Sequence, residues 1–147
     1  MPQTFQDAIM VTQELGQRYL WIDSLCIVQG EGGDWAAEAT KMEAVFKNAY
    51  YTIAATSARD STQGFLHPRH RELQYMMVPK SSHGKVYVCT SIEEDFDSDV
   101  MQGILNKRAW VLQERALSRR TIHFTKNQTY FECGGGVRCE VLTHMKK

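Results

Sequence analysis

The sequence predicts an α/β domain: three layers, a mainly parallel sheet with flanking helices, and a β-hairpin towards the C-terminal end. Two observations carry this reading. Over residues 3–56, stripes of apolar residues at helical intervals alternate with short, nearly continuous apolar runs, the pattern of strands covered by helices on both faces. After a last helical segment, two β-prone runs are separated by the polar pair Lys126-Asn127, as in a hairpin.

Taken in order, Phe5, Ala8, Ile9, Thr12 and Leu15 recur at helical spacing over residues 3–15, and Gly16 stands where a helix stops. Tyr19 to Val28 is an almost unbroken apolar run, interrupted by Asp23, and reads as a buried strand. Gln29 to Gly33 is a glycine-rich loop without the spacing of a dinucleotide fingerprint, and Asp34 is placed to cap the next helix. That helix, Trp35 to Ala49, gathers Trp35, Glu38, Ala39, Met42, Val45, Phe46 and Ala49 into one stripe. Tyr50 to Thr56 reads as a second buried strand, Ser57 to Arg71 as a polar loop, and Val86 to Ser91 as a strand followed by an acidic stretch, Glu93 to Asp99. A helix over 108–119 precedes strands at Thr121–Thr125 and Thr129–Cys133, and the tail from Gly134 is weakly specified.

Composition narrows the function classes. The 147 residues, 43% apolar and 23% charged, suit a single domain over 1–147. Seventeen basic residues cancel seventeen acidic ones, so no global field draws in nucleic acid or an anionic membrane. The chain has neither an apolar run of about 18 residues nor the basic and apolar regions of a signal peptide, so a soluble, cytoplasmic protein is expected. Four irregularly spaced cysteines fit reduced thiols better than a disulfide framework. Cys133, Cys139 and His144 lack a C-x-x-C pair and a fourth ligand, so no metal site is expected.

The segment Arg108-Ala109-Trp110-Val111-Leu112-Gln113-Glu114-Arg115-Ala116-Leu117-Ser118-Arg119 is the most informative in the chain. At about 100° of rotation per residue, Trp110, Gln113, Glu114 and Leu117 share one arc of a helix. An acid placed on the same face as an indole is costly unless it is paired or used. Two readings of Glu114 stand side by side, a buried ion pair with Arg108, Arg119 or Arg120 and a functional carboxylate. Asp23 and Glu38 carry similar alternatives, a local cap or an arginine partner against a place in a site. Trp21, Trp35 and Trp110 read most simply as core residues.

Tyr19-Leu20-Trp21-Ile22-Asp23-Ser24-Leu25-Cys26-Ile27-Val28-Gln29, then Glu38, Met42, Phe46 and Ala49, then Gly64-Phe65-Leu66, the 108–119 segment and Phe131-Glu132-Cys133, together resemble the fungal heterokaryon incompatibility (HET) domain. The resemblance covers most of residues 3–133. HET domains usually start with a strand carrying a Ser-Tyr-x-Trp-Gly type of motif. This chain has none before its first helix and reads as a truncated or naturally short member.

The resemblance implies a part in fungal nonself recognition as an effector of programmed cell death. HET domains have been proposed as distant relatives of TIR domains, some of which hydrolyse NAD, so a TIR/flavodoxin-like sheet is expected. In TIR enzymes a helix carries W-C-x-x-E with a catalytic glutamate. Trp110-Val111-Leu112-Gln113-Glu114 keeps the interval without the cysteine. By that analogy Glu114 is the catalytic residue, with Asp23, Trp110, Arg108, Arg119 and Glu38 around the ligand. NAD enters as a substrate and no resident cofactor is implied. The partners implied are further copies of the chain and other incompatibility proteins. The alternative to an NAD-hydrolysing enzyme is a non-catalytic signalling module acting by self-association or partner binding, because an absent first strand leaves a sheet edge open.

Overall fold

The computed structural model describes residues 1–69, 75–78, 84, 86–89 and 96–140. The first helix, α1 (Gln3–Glu14), buries Asp7, Ala8, Val11 and Thr12, the inward stripe expected from the 3.6-residue period. It ends as its sequence demands. Gly16 adopts a positive φ of 68°, its N–H bonds Gln13 O, and Gln17 N–H bonds Thr12 O, both at 2.9 Å. This is the Schellman arrangement, in which glycine takes the left-handed position without a Cβ penalty.

Residues 19–28 depart from the expected strand. The chain instead winds into a short helix, α2 (Asp23–Cys26), with Tyr19, Leu25 and Val28 exposed. Asp23 accepts a hydrogen bond from Ser24 N–H at 2.6 Å, and such local bonding competes with a sheet ladder. Asp34 also differs, since its carboxylate caps no helix and accepts from Val28 N–H at 2.8 Å, closing the glycine loop.

The single helix expected over 35–49 is two, α3 (Trp35–Ala39) and α4 (Met42–Asn48). Between them the Thr40 hydroxyl bonds back to Ala37 O at 2.7 Å, offering that carbonyl a partner other than the helix. Trp35 is consequently exposed rather than on a core stripe. Trp21 does pack inward, edge-on to Phe46 at 5.9 Å, which ties the segment before α2 to α4.

Strand β1 (Thr52–Ala54) falls within the run expected to be extended. A small separate ribbon of β2 (Tyr75–Val78) and antiparallel β3 (Val86–Cys89) follows; the sequence reading had only the second of these. A π-helical turn at Asp97–Met101 and a 3₁₀ turn at Leu105–Lys107 lead into α5 (Ala109–Leu117), then β4 (Arg120–Phe124), β5 (Thr129–Cys133) and β6 (Gly136–Cys139). The expected hairpin is present, extended by β6, which lay in the weakly specified tail.

The main sheet runs β1-β4-β5-β6. It is mixed, not mainly parallel: β1 pairs parallel with β4 through Thr52↔Thr121, and the other two pairings are antiparallel. The reason is connectivity, because β4, β5 and β6 follow one another through tight turns, which permit only antiparallel neighbours. Ala8, Val11 and Phe65 form the buried cluster, with Leu15, Leu20, Ile53, Ala55, Ala58 and Phe124 against it. Alternation along β4 sends Thr121 and His123 to the opposite face from Phe124, and there His123 meets Phe96 edge-on at 5.6 Å.

Candidate functional site: a carboxylate-bearing cavity

Beside β1 lies a cavity of about 760 Å³, within the size range of small-molecule sites. Its wall is built from α1, residues 17–23, the end of α4, residues 49–53, and the first half of α5. Four sequence-predicted site residues come together there: Asp23, Arg108, Trp110 and Glu114 all line it. Two do not. Glu38 is paired with Lys41 at 2.6 Å, and Arg119 lines a second depression with Arg115, Glu132 and Cys133.

Helix α5 does not present the face expected. Val111 is buried, Glu114 is half-buried, and Trp110 and Gln113 are exposed. Trp110 therefore lines the cavity from its solvent side instead of filling the core. Its partner is Arg108, whose guanidinium lies 5.3 Å from the indole centroid.

Glu114 is fixed through the backbone of its own helix. Ser118 Oγ donates to Glu114 O at 2.7 Å, and with its one proton so used it accepts from Thr52 Oγ1, also at 2.7 Å. This chain of hydroxyls joins α5 to β1 across the parallel pair. The Glu114 side chain, by contrast, makes no hydrogen bond or ion pair among the described residues. The ion-pair reading thus fails for all three arginines: Arg108 stacks on Trp110, Arg120 stacks on Tyr50 at 5.1 Å, and Arg119 is exposed at the other depression.

Electrostatics follow from that isolation. Desolvation raises the Glu114 pKa above the ordinary 4.5, the charge of Asp23 raises it further, and Arg108 opposes both. Perturbed carboxylates cluster at functional sites, which makes Glu114 the candidate residue of this cavity. Asp23 stands at the first turn of α2, inside the run that the sequence reading had taken for a strand.

Among the wall residues that sequence reasoning did not single out are Arg18, Tyr19 and Tyr50. Tyr19 had been placed inside a buried strand, yet it is 85% exposed. A partly buried polar network was missed as well. Arg115 grips Glu132 with two nitrogens, at 2.8 and 2.6 Å, and His123 Nε2 lies 2.9 Å from the same carboxylate. The hairpin register, His123↔Tyr130, puts Glu132 on the diagonal from His123, which was the one available signal. Burial lowers the His123 pKa despite the pull of Glu132, and the Arg115 bond holds Glu132 below its ordinary value against its own desolvation. A neutral imidazole beside a carboxylate must donate its Nε2–H.

The Gly64-Phe65-Leu66 motif has a structural account. Asp7, buried on α1, accepts from Phe65 N–H at 2.6 Å, from Leu66 N–H at 3.0 Å and from the Gln3 amide at 2.7 Å. Desolvation of Asp7 is outweighed by these donors, and its pKa is lowered. Phe65 is thereby pinned into the core beside Phe124, centroids 4.8 Å apart.

Among the described residues no helix is long and apolar enough to cross a membrane, and Cys26 and Cys133 are free thiols. His144 lies outside the described residues. No curated protein and no solved structure matches the chain. A family model does, described as Heterokaryon incompatibility protein (HET), over residues 1–114. That span takes in every residue lining the cavity and ends on Glu114. The chain belongs to the heterokaryon incompatibility family.

Proposed function

We propose that this HET domain hydrolyses the nicotinamide–ribose bond of NAD in the cavity beside β1, as the effector step of a fungal nonself-recognition and cell-death response, with a TIR-like kinship behind the chemistry. The observation that carries the reading is the Glu114 carboxylate, without a partner and partly desolvated, in a cavity with an indole at its wall. As the glycosidic bond breaks, its electron pair passes to the nicotinamide nitrogen and positive charge grows on the ribose. A carboxylate at that sugar stabilises the charge, and more strongly in a site of low dielectric than in water. Water then bonds to the anomeric carbon and releases a proton. Trp110 offers a flat face to nicotinamide, and Asp23 accepts from a ribose hydroxyl. The test is nicotinamide release from NAD by the purified protein, with Glu114→Gln as the control. Release that vanishes in the variant supports the reading, and its absence in the wild type at every protein concentration overturns it.

A second reading, a non-catalytic module acting by self-association, draws on the sheet itself. Among the described residues β1 and β6 each have one unpaired edge, and an exposed edge is a template for strand addition. Sedimentation over a range of concentrations tests it. A mass that stays monomeric removes its support.

A further inference from the structure

Three arginine–aromatic pairs gather at the opening of the cavity. Arg18 lies 5.7 Å from the centroid of Tyr19, Arg108 5.3 Å from Trp110, and Arg120 5.1 Å from Tyr50. All three rings line the cavity, as do Arg18 and Arg108, and Arg120 is held to this wall by donating to Tyr50 O at 3.5 Å. The pairs come from separate stretches of chain: the linker after α1, the approach to β1 with the start of β4, and the start of α5. Energetically significant pairs of this kind occur about once per 70–80 residues, so three around one opening is a concentration.

The fourth such pair among the described residues shows what is unusual about these. Arg115 stacks on Phe96, but its charge is neutralised by Glu132 and it is half-buried. Arg18, Arg108 and Arg120 have no carboxylate partner among the described residues, and all three are exposed. Their rings are exposed too, Tyr19 at 85%, Trp110 at 57% and Tyr50 at 56%. In a chain of zero net charge this one rim presents unpaired guanidinium groups, each with a flat apolar face beside it.

Guanidinium groups take phosphate oxygens in pairs, and aromatic faces stack on bases. A ligand using both within one opening carries phosphate and base close together. We propose that the rim of Arg18, Tyr19, Tyr50 and Arg120 is a nucleoside-diphosphate subsite, holding the pyrophosphate and adenine end of a ligand whose other end reaches Trp110 and Glu114. The orientation rests on the NAD reading above; the subsite itself does not. A single-stranded nucleic acid shares the chemistry but needs a groove that tracks several nucleotides, whereas these groups ring one cavity.

The experiment is titration of the purified protein with ADP, which has no nicotinamide bond to cleave, followed by calorimetry and by quenching of aromatic emission. Adenosine and an oligothymidine serve as comparison ligands, and Lys126→Gln as a control on an exposed turn remote from the rim. The expected result is ADP binding that weakens with added salt, exceeds adenosine at least tenfold, and falls about tenfold in Arg18→Gln and in Arg120→Gln, both with unchanged circular dichroism. Lys126→Gln binds as the wild type does. No binding of ADP, equal affinity for ADP and adenosine, wild-type affinity in both arginine variants, or tighter binding of oligothymidine overturns the subsite. ADP binding without NAD hydrolysis removes the enzymatic reading alone, and nicotinamide release without ADP binding removes the subsite alone.

Discussion

Asp23 raises the proton affinity of Glu114 across the cavity beside β1. The two acids come from α2 and α5, with Arg108 as the opposing charge. Neither acid has an ion-pair partner among the described residues. Keeping Glu114 charged there is therefore a strain on the fold, from desolvation first and from Asp23 second.

Relief of that strain separates function from stability. For an acid whose folded pKa is raised, ionisation is harder in the folded state than in the unfolded one, so above that pKa the charge costs stability. Glu114→Gln is thus expected to raise Tm by a few degrees at neutral pH while lowering nicotinamide release by roughly 10²–10³-fold, as for loss of one electrostatic stabiliser. A variant that lost both activity and Tm would assign Glu114 a structural role.

The same carboxylate should set a pH limit on the proposed hydrolysis. Since Glu114 must be ionised to stabilise positive charge, the rate is expected to fall as pH drops through its raised pKa, above the ordinary 4.5. In Asp23→Asn the descending limb moves to lower pH, because one of the two causes of the shift is gone. A limb that stayed in place would show that Asp23 does not act on Glu114.

Trp110 and Val111, adjacent on α5, are expected to behave oppositely. Val111 is 7% exposed and Trp110 57%. Val111→Ala should cost about 1–2 kcal/mol, and Trp110→Ala less than about 0.5 kcal/mol, because burial decides the loss. Ligand affinity should follow the reverse order. Chemical denaturation of the two variants, and their KM for NAD in nicotinamide release, measure both.

Gly64 has little room to change. It sits at φ 73°, and a Cβ built there would lie 2.5 Å from Asp7 Oδ2 and 2.7 Å from Gln3 Cγ. Gly64→Ala is expected to destabilise by about 2–3 kcal/mol, combining a strained left-handed residue with disruption of the Asp7 network. A denaturation midpoint equal to the wild type would contradict this.

Acid lability should begin at His123. Its folded pKa lies below the ordinary 6.5, so its contribution is complete above that value and declines as pH falls below it, where only the unfolded state gains the proton. Glu132, lowered from 4.5, contributes above its unfolded value and loses that contribution as pH falls through the folded one. Tm is therefore expected to be flat near pH 7–8 and to fall from about pH 6.5 downward. In His123→Gln the upper part of the decline should disappear, as differential scanning calorimetry across pH would show.

Local sequence by itself determined α1 with its Gly16 stop, the β1 segment, α5 and the β4–β5 hairpin, because period, glycine placement and turn chemistry act over a few neighbouring residues. It also determined the family to which the chain belongs. Only the tertiary structure decided which face of α5 turns inward, since Trp110 and Val111 are both apolar and their burial depends on what β1 and residues 17–23 leave open. Residues 19–28 and 35–49 went the same way: an apolar run becomes a strand only where a neighbour accepts its hydrogen bonds, and a helical stripe stays whole only where packing outweighs a Thr40 hydroxyl bonding back. The mixed sheet followed from tight turns that force antiparallel neighbours. That Glu38 and Arg119 stand apart from the cavity while Asp23, Arg108, Trp110 and Glu114 meet there is a fact about distance across the fold, which residue spacing along the chain does not encode.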